Sequence, residues 1–325
     1  MNFKIIKEFL YTLPKTDSVY PVLRKKDAYD IKKIEKENFR ILKEGVSQDS
    51  KNIWAVDGSN KTIAESSGKA IELIRISAVS ESKVITSTYI VGVVPRLESE
   101  ITYDAKAFLF SGEDLGLNEI KMNAYDPSIT GTAFKAQPST VAAVLRRFLE
   151  WKMIEKIMKD YNPAMILKDG SLAMHITGEE EIAQHILDSK YPVIGVVKNS
   201  SILSNRGLNI LHEISSIQPH SPHWYYDFIA KGKESSHPVY IHAVKLHPRG
   251  RIYRMEIPYH YNPASIYQTL IPISNDALYL GYPYLLAKAD KIAKIKDYEV
   301  KHLMLELVDK EEFEEDMHNI FKKEW

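Results

Sequence analysis

The tripeptide Asp-Gly-Ser occurs twice, each time after an apolar run of β type: WAVDGS at 54–59 and ILKDGS at 166–171. A strand delivers its last side chain to the sheet edge, and a glycine directly after it lets the backbone turn away. The spacing therefore predicts strand ends at Asp57 and Asp169. Two such ends on neighbouring strands would crowd two carboxylates together, which is unfavourable unless a cation lies between them. Hard divalent cations, Mg²⁺ or Mn²⁺, accept carboxylate oxygens of this kind. A plain Asp-Gly hairpin is the competing reading. It fits neither copy, because the next β-like run after Asp57 starts only near Lys69 and Asp169 is followed by a loop and a helical stretch.

A third carboxylate is expected from the helix STVAAVLRRFLEWKMIEKIMKD, which a Ser/Thr start opens after Pro138. Glu155 shares its face with Lys152, Lys156 and Lys159, a solvated stripe, whereas Glu150 lies on the line of Met153, Ile154 and Ile157. Two readings of Glu150 stand side by side: a metal ligand, or the partner of Arg146 in an i,i+4 ion pair. Lys198, at the end of YPVIGVVK, is a candidate to neutralise charge on a phosphate, with a surface lysine as the alternative. Tyr282, between Gly281 and Pro283, is either a phosphate- or base-contacting residue or a turn residue packed on a core. His220, His223, His237, His242 and His247 lack the i,i+4 helical spacing of a zinc protease, so no histidine is assigned to a metal.

These residues need a sheet to hold them, and the chain provides one. Runs at 52–57, 69–80 and 83–94 read as an antiparallel meander, followed by the helix after Pro138, a strand AMILKD, a helix EEEIAQHILDS and the strand YPVIGVVK. That order predicts an α/β fold with a mixed β-sheet flanked by helices. Ahead of it, residues Tyr20–Glu44 read as an amphipathic helix or two. After it come a hairpin (HPVYIHAVKL and RIYRMEIP), a helix near 263–270, another from about Tyr284, and a charged helix ending EEFEEDMHNIFKKEW. Residues 95–136 carry little periodicity and read as a long surface excursion. One continuous domain is expected, with an N-terminal helical extension to residue 50, a core over 51–200 and a hairpin-and-helix elaboration over 201–325.

Forty-three basic against 43 acidic residues give no net charge, so a nucleic-acid surface would have to be local. The absence of cysteine excludes thiolate catalysis, disulfides and Cys-ligated zinc, and suggests a cytoplasmic protein. No signal-peptide pattern and no long uncharged apolar run is present, so an unprocessed chain with no membrane partner is expected.

Taken in order, VDGS, LRRFLEWKMIEK, ILKDGSL, GVVK and GYPYLLAKAD resemble the NurA nuclease family, the DNA end-processing nucleases that work with the HerA hexameric helicase/translocase. The resemblance runs from about residue 50 to about 295. It implies a ribonuclease H-like fold and metal binding by Asp57, Glu150 and Asp169. It further implies manganese-dependent 5′-to-3′ exonuclease and single-strand endonuclease action on DNA, and a homodimer that docks on HerA. The family also carries a Tyr-Pro element with a histidine eight residues after the tyrosine. Tyr282 and Pro283 are kept, but that position is Asp290. Asp290 either replaces the imidazole as a ligand or marks weakened activity.

Phosphodiester hydrolysis stabilises charge at the attacking water, the phosphate and the leaving oxygen, a task suited to two metal ions about 4 Å apart. Candidate basic contacts to the DNA backbone are Arg146 and Arg147, then Arg249, Arg251 and Arg254, then Lys288, Lys291, Lys294 and Lys296. Two rival readings are an actin-like ATPase, disfavoured by the lack of any Gly-Gly pair, and a weakened DNA-binding subunit of the same complex.

Overall fold

The computed structural model describes residue 4 and residues 18–23, 29–43, 52–66, 68–232 and 239–307. The chain divides into two compact units. The first contains residues 1–48, 170–172 and 194–284, and the second contains 49–169, 173–193 and 285–325.

The strands in chain order are β1 (Pro21–Val22), β2 (Tyr29–Ile31), β3 (Phe39–Ile41), β4 (Ile53–Ser66), β5 (Lys69–Val79), β6 (Val84–Leu97) and β7 (Ile101–Gly112). They continue as β8 (Glu119–Asn123), β9 (Met165–Asp169), β10 (Val193–Val197), β11 (Leu203–Ser204), β12 (Trp224–Gly232), β13 (Val239–Lys245) and β14 (Tyr253–Pro258). The helices are α1 (Pro127–Thr130), α2 (Pro138–Tyr161), α3 (Glu179–Leu187), α4 (Ile210–Ser216), α5 (Pro263–Ile273), α6 (Tyr284–Ala293) and α7 (Asp297–Leu307). Among the described residues no helix is long and apolar enough to cross a membrane.

In the second unit the strands lie in the order β9-β4-β5-β6-β7-β8. β4 and β9 run parallel, while β4 through β8 form an antiparallel meander, so the sheet is mixed, and helices cover it. Strand alternation divides its two faces. On β5, Ile74 and Ile76 look toward α2, whose Val141, Leu145, Leu149 and Met153 are buried. The intervening Leu73, Arg75 and Ser77 look toward α6 and α7: Leu73 packs in one cluster with Ile295 and Leu303, and Arg75 pairs with Glu299. Helix α2 starts with Pro138 in its first turn and stops where Asn162 takes a left-handed conformation at φ 43°, ahead of Pro163. The buried Glu179 of α3 fastens α2, accepting from Trp151 Nε1 at 2.8 Å and pairing with Arg147.

In the first unit β12 is flanked by β13 on one edge and by β2 and β3 on the other, and β13-β14-β10 continue the sheet. Its core gathers Trp224, Tyr226, Ile229, Ile241, Ile210 and Ile214. His242 is buried on β13, its Nδ1 2.7 Å from the Tyr267 hydroxyl. Burial pushes its imidazole down to about 3.

Three expectations are corrected. The described part of 20–44 is not an amphipathic helix: β2 and β3 take up the free edge of β12, and Phe39 stands edge-on to Trp224 and Tyr226 at 4.9 and 5.1 Å. The apolar spacing there was too loose for a helix, and the strand edge provides the backbone partners. Residues 95–136 are not an excursion, since β7 pairs with β6 from Ser87 to Leu97, burying Tyr103, Ala105 and Ala107 on alternate positions. Nor does the strand at Asp57 end there. β4 runs on to Ser66 and stays in register with β5 through Gly58. Gly58 instead makes room for α2: a Cβ there would lie 2.8 Å from Glu150 Oε1 and 2.8 Å from Ile76 Cδ1. The expected helix at EEFEEDMHNIFKKEW lies outside the described residues.

Two outcomes are expected from these packings. Gly58→Val overfills the β4–α2 contact and destabilises the fold by about 1–3 kcal/mol, measured by urea unfolding; unchanged stability would mean that α2 has slack above Gly58. For His242, the unfolded chain takes up a proton near 6.5 and the folded one only near 3, so below 6.5 the unfolded state binds more protons and gains. Stability should fall through that window by on the order of 1.4 kcal/mol per pH unit, and His242→Phe should flatten that slope. An identical slope in the variant would remove His242 as its source.

Candidate metal centre

Asp57 and Asp169 sit on the two parallel neighbours β4 and β9, whose register runs from Ile53↔Met165 to Val56↔Lys168. The next residue on each strand is an aspartate, so the register brings both acids to the same level. β9 stops at Asp169, and Gly170 follows at φ 89°, a conformation glycine adopts without strain. Asp57 is buried and Asp169 half-buried, and Asp57 Oδ1 accepts the Gly58 N–H at 2.7 Å.

The third member of the group is Asp290 of α6. One carboxylate oxygen from each of Asp57, Asp169 and Asp290 lies within 4.8 Å of the other two. Ser77 explains how α6 reaches that point. It is the cross-strand partner of Asp57, shares its face, and donates its buried hydroxyl to Ala289 O at 2.8 Å. The helical turn that carries Asp290 is thus pinned over Asp57. Three carboxylates at this spacing repel one another, and their hard oxygens fit a divalent cation of the Mg²⁺ or Mn²⁺ type.

Glu150 lies elsewhere. The Cβ direction of Gly58 leads to Glu150 and Arg146, so Asp57, one residue earlier, projects from the opposite face of the sheet. Glu150 is buried on the α2 side, where it accepts from Lys168 Nζ at 2.7 Å and pairs with Arg146. Burial alone would raise its carboxyl pKa, but the Lys168 and Arg146 charges hold it below the usual range. Both open readings from the sequence concerned this residue, and the i,i+4 pair with Arg146 is present.

Tyr282 and Lys198 belong to the first unit, where they meet: the Lys198 ammonium lies 5.4 Å from the centre of the Tyr282 ring. Tyr282 is buried against Tyr253 at 5.2 Å, while Lys198 is exposed. Also in the first unit, the buried Glu256 accepts from Ser171 Oγ at 2.9 Å and from the Leu172 N–H at 2.7 Å, fastening the residues that follow Asp169 along the chain. Burial pushes its carboxyl upward, and Arg254 with these donors brings it below the usual range.

The basic candidates separate by environment. Arg147 is committed to Glu179, Arg146 to Glu150, and the buried Arg254 to Glu256. Lys291, Lys294 and Lys296, beside and beyond Asp290, are exposed, as are Arg249 and Arg251 in the first unit. Reading the sequence alone missed Ser77 and Lys168. The signal for Lys168 was a lysine inside an apolar strand run, MILKD, where a charge needs a buried partner. Ser77 gave none, being one serine among apolar strand residues.

The NurA domain model matches residues 51–295 of this chain. No curated protein matches it. Among solved structures, the NurA nuclease from Sulfolobus solfataricus is 12% identical over 83% of this chain and 86% of that one, with a TM-score of 0.49. The catalytic domain of human Endonuclease V is 15% identical over 82% and 92%, with a TM-score of 0.37. Ciona intestinalis Endonuclease V, in complex with an inosine-containing DNA, is 15% identical over 81% and 92%, also at 0.37. At such values the assignment rests on the family model, which spans well over half of the chain: this protein belongs to the NurA family, and with it to the hydrolases that act on DNA.

Proposed function

We propose that the chain acts as a single divalent-metal-dependent nuclease domain of ribonuclease H-like type, cutting single-stranded DNA internally and degrading DNA ends 5′ to 3′. The observation that carries the metal dependence is the grouping of Asp57, Asp169 and Asp290 within 4.8 Å. These three residues would hold the ion, with Mn²⁺ preferred and Mg²⁺ accepted. When bound, it supplies Lewis-acid stabilisation of phosphate charge and a water of lowered pKa. Asp290 takes the place of the histidine that the family carries, and a third anionic oxygen suits a hard cation at least as well as an imidazole does.

The exposed Lys291, Lys294 and Lys296 next to Asp290 offer ammonium groups to the DNA backbone, so binding falls with salt. Lys198, stacked on Tyr282, is the candidate to neutralise charge on a phosphate, with Tyr282 as its support. The biological role that suits these activities is end resection in double-strand break repair, in the cytoplasm, as a homodimer working with a HerA-type hexameric ATPase. That role and both partners come from the family resemblance. The family assignment offers no support to the actin-like ATPase alternative.

The test is end-labelled single- and double-stranded DNA incubated with Mn²⁺, Mg²⁺ or EDTA, comparing the natural chain with Asp57→Ala, Asp169→Ala and Asp290→Asn. Metal-dependent cutting that falls by at least about 100-fold in the first two variants is expected. No cutting under any metal by the folded natural chain, with salt-dependent DNA binding retained, would instead identify a binding subunit.

A further inference from the structure

β10 and β14 are antiparallel neighbours, and their register ends at Val197↔Arg254. One residue further on each strand come Lys198 and Tyr253, which therefore stand side by side at one end of the sheet. Alternation turns both away from the face on which the buried Arg254 pairs with Glu256. Tyr253 packs on the buried Tyr282, with ring centres 5.2 Å apart at 51°, and the exposed Lys198 ammonium lies 5.4 Å from the Tyr282 ring centre. A third side chain, Arg251, arrives with the turn at 247–251. A Cβ on Gly250 of that turn would lie 2.8 Å from Gly281 Cα and 2.8 Å from Leu280 O, and Gly281 itself takes φ 81°. Glycine is required at 250 by this contact and at 281 by its backbone conformation. The turn is thereby seated against the residues that lead into Tyr282.

The charges acting on the Tyr253 hydroxyl have one sign. Burial pushes the phenol pKa up, and Arg251 and Lys198 both pull it down. The net shift is upward, so the hydroxyl stays protonated at neutral pH and can donate. Two cations gathered round one phenol repel each other, and an anion placed among them relieves that repulsion. We propose that Tyr253, Arg251 and Lys198 form a binding site for a DNA phosphate, with the Tyr253 hydroxyl donating to a non-bridging oxygen. The guanidinium offers a planar pair of donors and the ammonium a point charge. The phenol adds a neutral donor whose direction is set by its packing on Tyr282. This inference rests on the reading of the chain as a DNA nuclease in which Lys198 neutralises phosphate charge. It adds Arg251 and Tyr253, which lie outside the short motifs that carry the family resemblance.

Fluorescence anisotropy of a labelled oligothymidylate with the full chain, over a salt series in EDTA so that no strand is cut, tests the site. Tyr253→Phe keeps the ring on Tyr282 and removes only the hydroxyl. It should weaken binding about tenfold with the salt slope unchanged, because no charge is lost. Arg251→Gln should weaken binding and lower the slope by about one. Wild-type affinity in Tyr253→Phe would leave the tyrosine a packing residue and overturn the proposal, as would an unchanged slope in Arg251→Gln. Strands differing only in a 5′-phosphate or a 5′-hydroxyl separate two sources of the anion. Equal losses on both place a strand-internal phosphodiester in the site, and a loss confined to the phosphorylated strand places the terminal monoester there; either upholds it. Cutting by the wild-type chain in Mn²⁺ is measured alongside. Cutting by that chain, with wild-type binding by Tyr253→Phe, sinks this inference alone, whereas a wild-type chain that neither cuts nor binds DNA sinks the nuclease reading and this inference with it. If Tyr253→Phe melts below the assay temperature, Arg251→Gln, at an exposed position, decides by its slope.

Discussion

Carboxylates held close together repel, and in this protein that repulsion is concentrated at one point on one sheet face. Asp57, Asp169 and Asp290 bring oxygens within 4.8 Å of each other, although they come from positions 57, 169 and 290 of the chain. Such a group does not assemble by mutual attraction in the absence of a cation. Its geometry has to be imposed by the packing around it, and most of the second unit can be understood as the framework that does so. The parallel pairing of β4 with β9 levels two of the acids, and the Ser77 hydroxyl ties down the helical turn bearing the third.

The two faces of that sheet have different electrostatic characters. The α6 side carries the acids and, next to them, exposed lysines. The α2 side carries a buried acid with two cations around it, and its carboxyl is held below the usual range in consequence. At Gly58 the missing side chain lets Glu150 approach the β4 backbone directly after Asp57. Any larger residue at that position would separate α2 from β4 directly behind Asp57. Glycine after the first aspartate is therefore required by contact with a helix, and glycine after the second by a positive φ. The same dipeptide thus meets two different physical demands.

In the first unit, a fully buried glutamate serves a comparable end by simpler means. Glu256 accepts from the serine and the following backbone N–H of the second Asp-Gly-Ser motif, so the chain leaving β9 is anchored as soon as it turns. The serine of the motif thereby acquires a structural reason that is independent of any metal.

The sequence alone determined that Asp57 and Asp169 would close apolar runs belonging to strands of a mixed α/β sheet, because such runs favour buried strands; it did not show that β4 would continue past Asp57 to Ser66. It also showed, through the ordered set of short motifs, the family to which the chain belongs. Local pattern could not show that Ile31 and Phe39 would form strands against β12 and not a helix, since the deciding hydrogen bonds come from residues almost two hundred positions away. It left the place of Glu150 open between a ligand and an ion-pair partner, because helical periodicity gives the face of a helix but not which face of the sheet that helix covers. The surroundings of Glu150 come from strand alternation at Gly58, from a lysine one residue before Asp169 that pairs with it, and from α6 bringing Asp290 to the face that carries Asp57. Each of these is a long-range contact, and such contacts are fixed by how whole elements pack, which no short window of sequence contains.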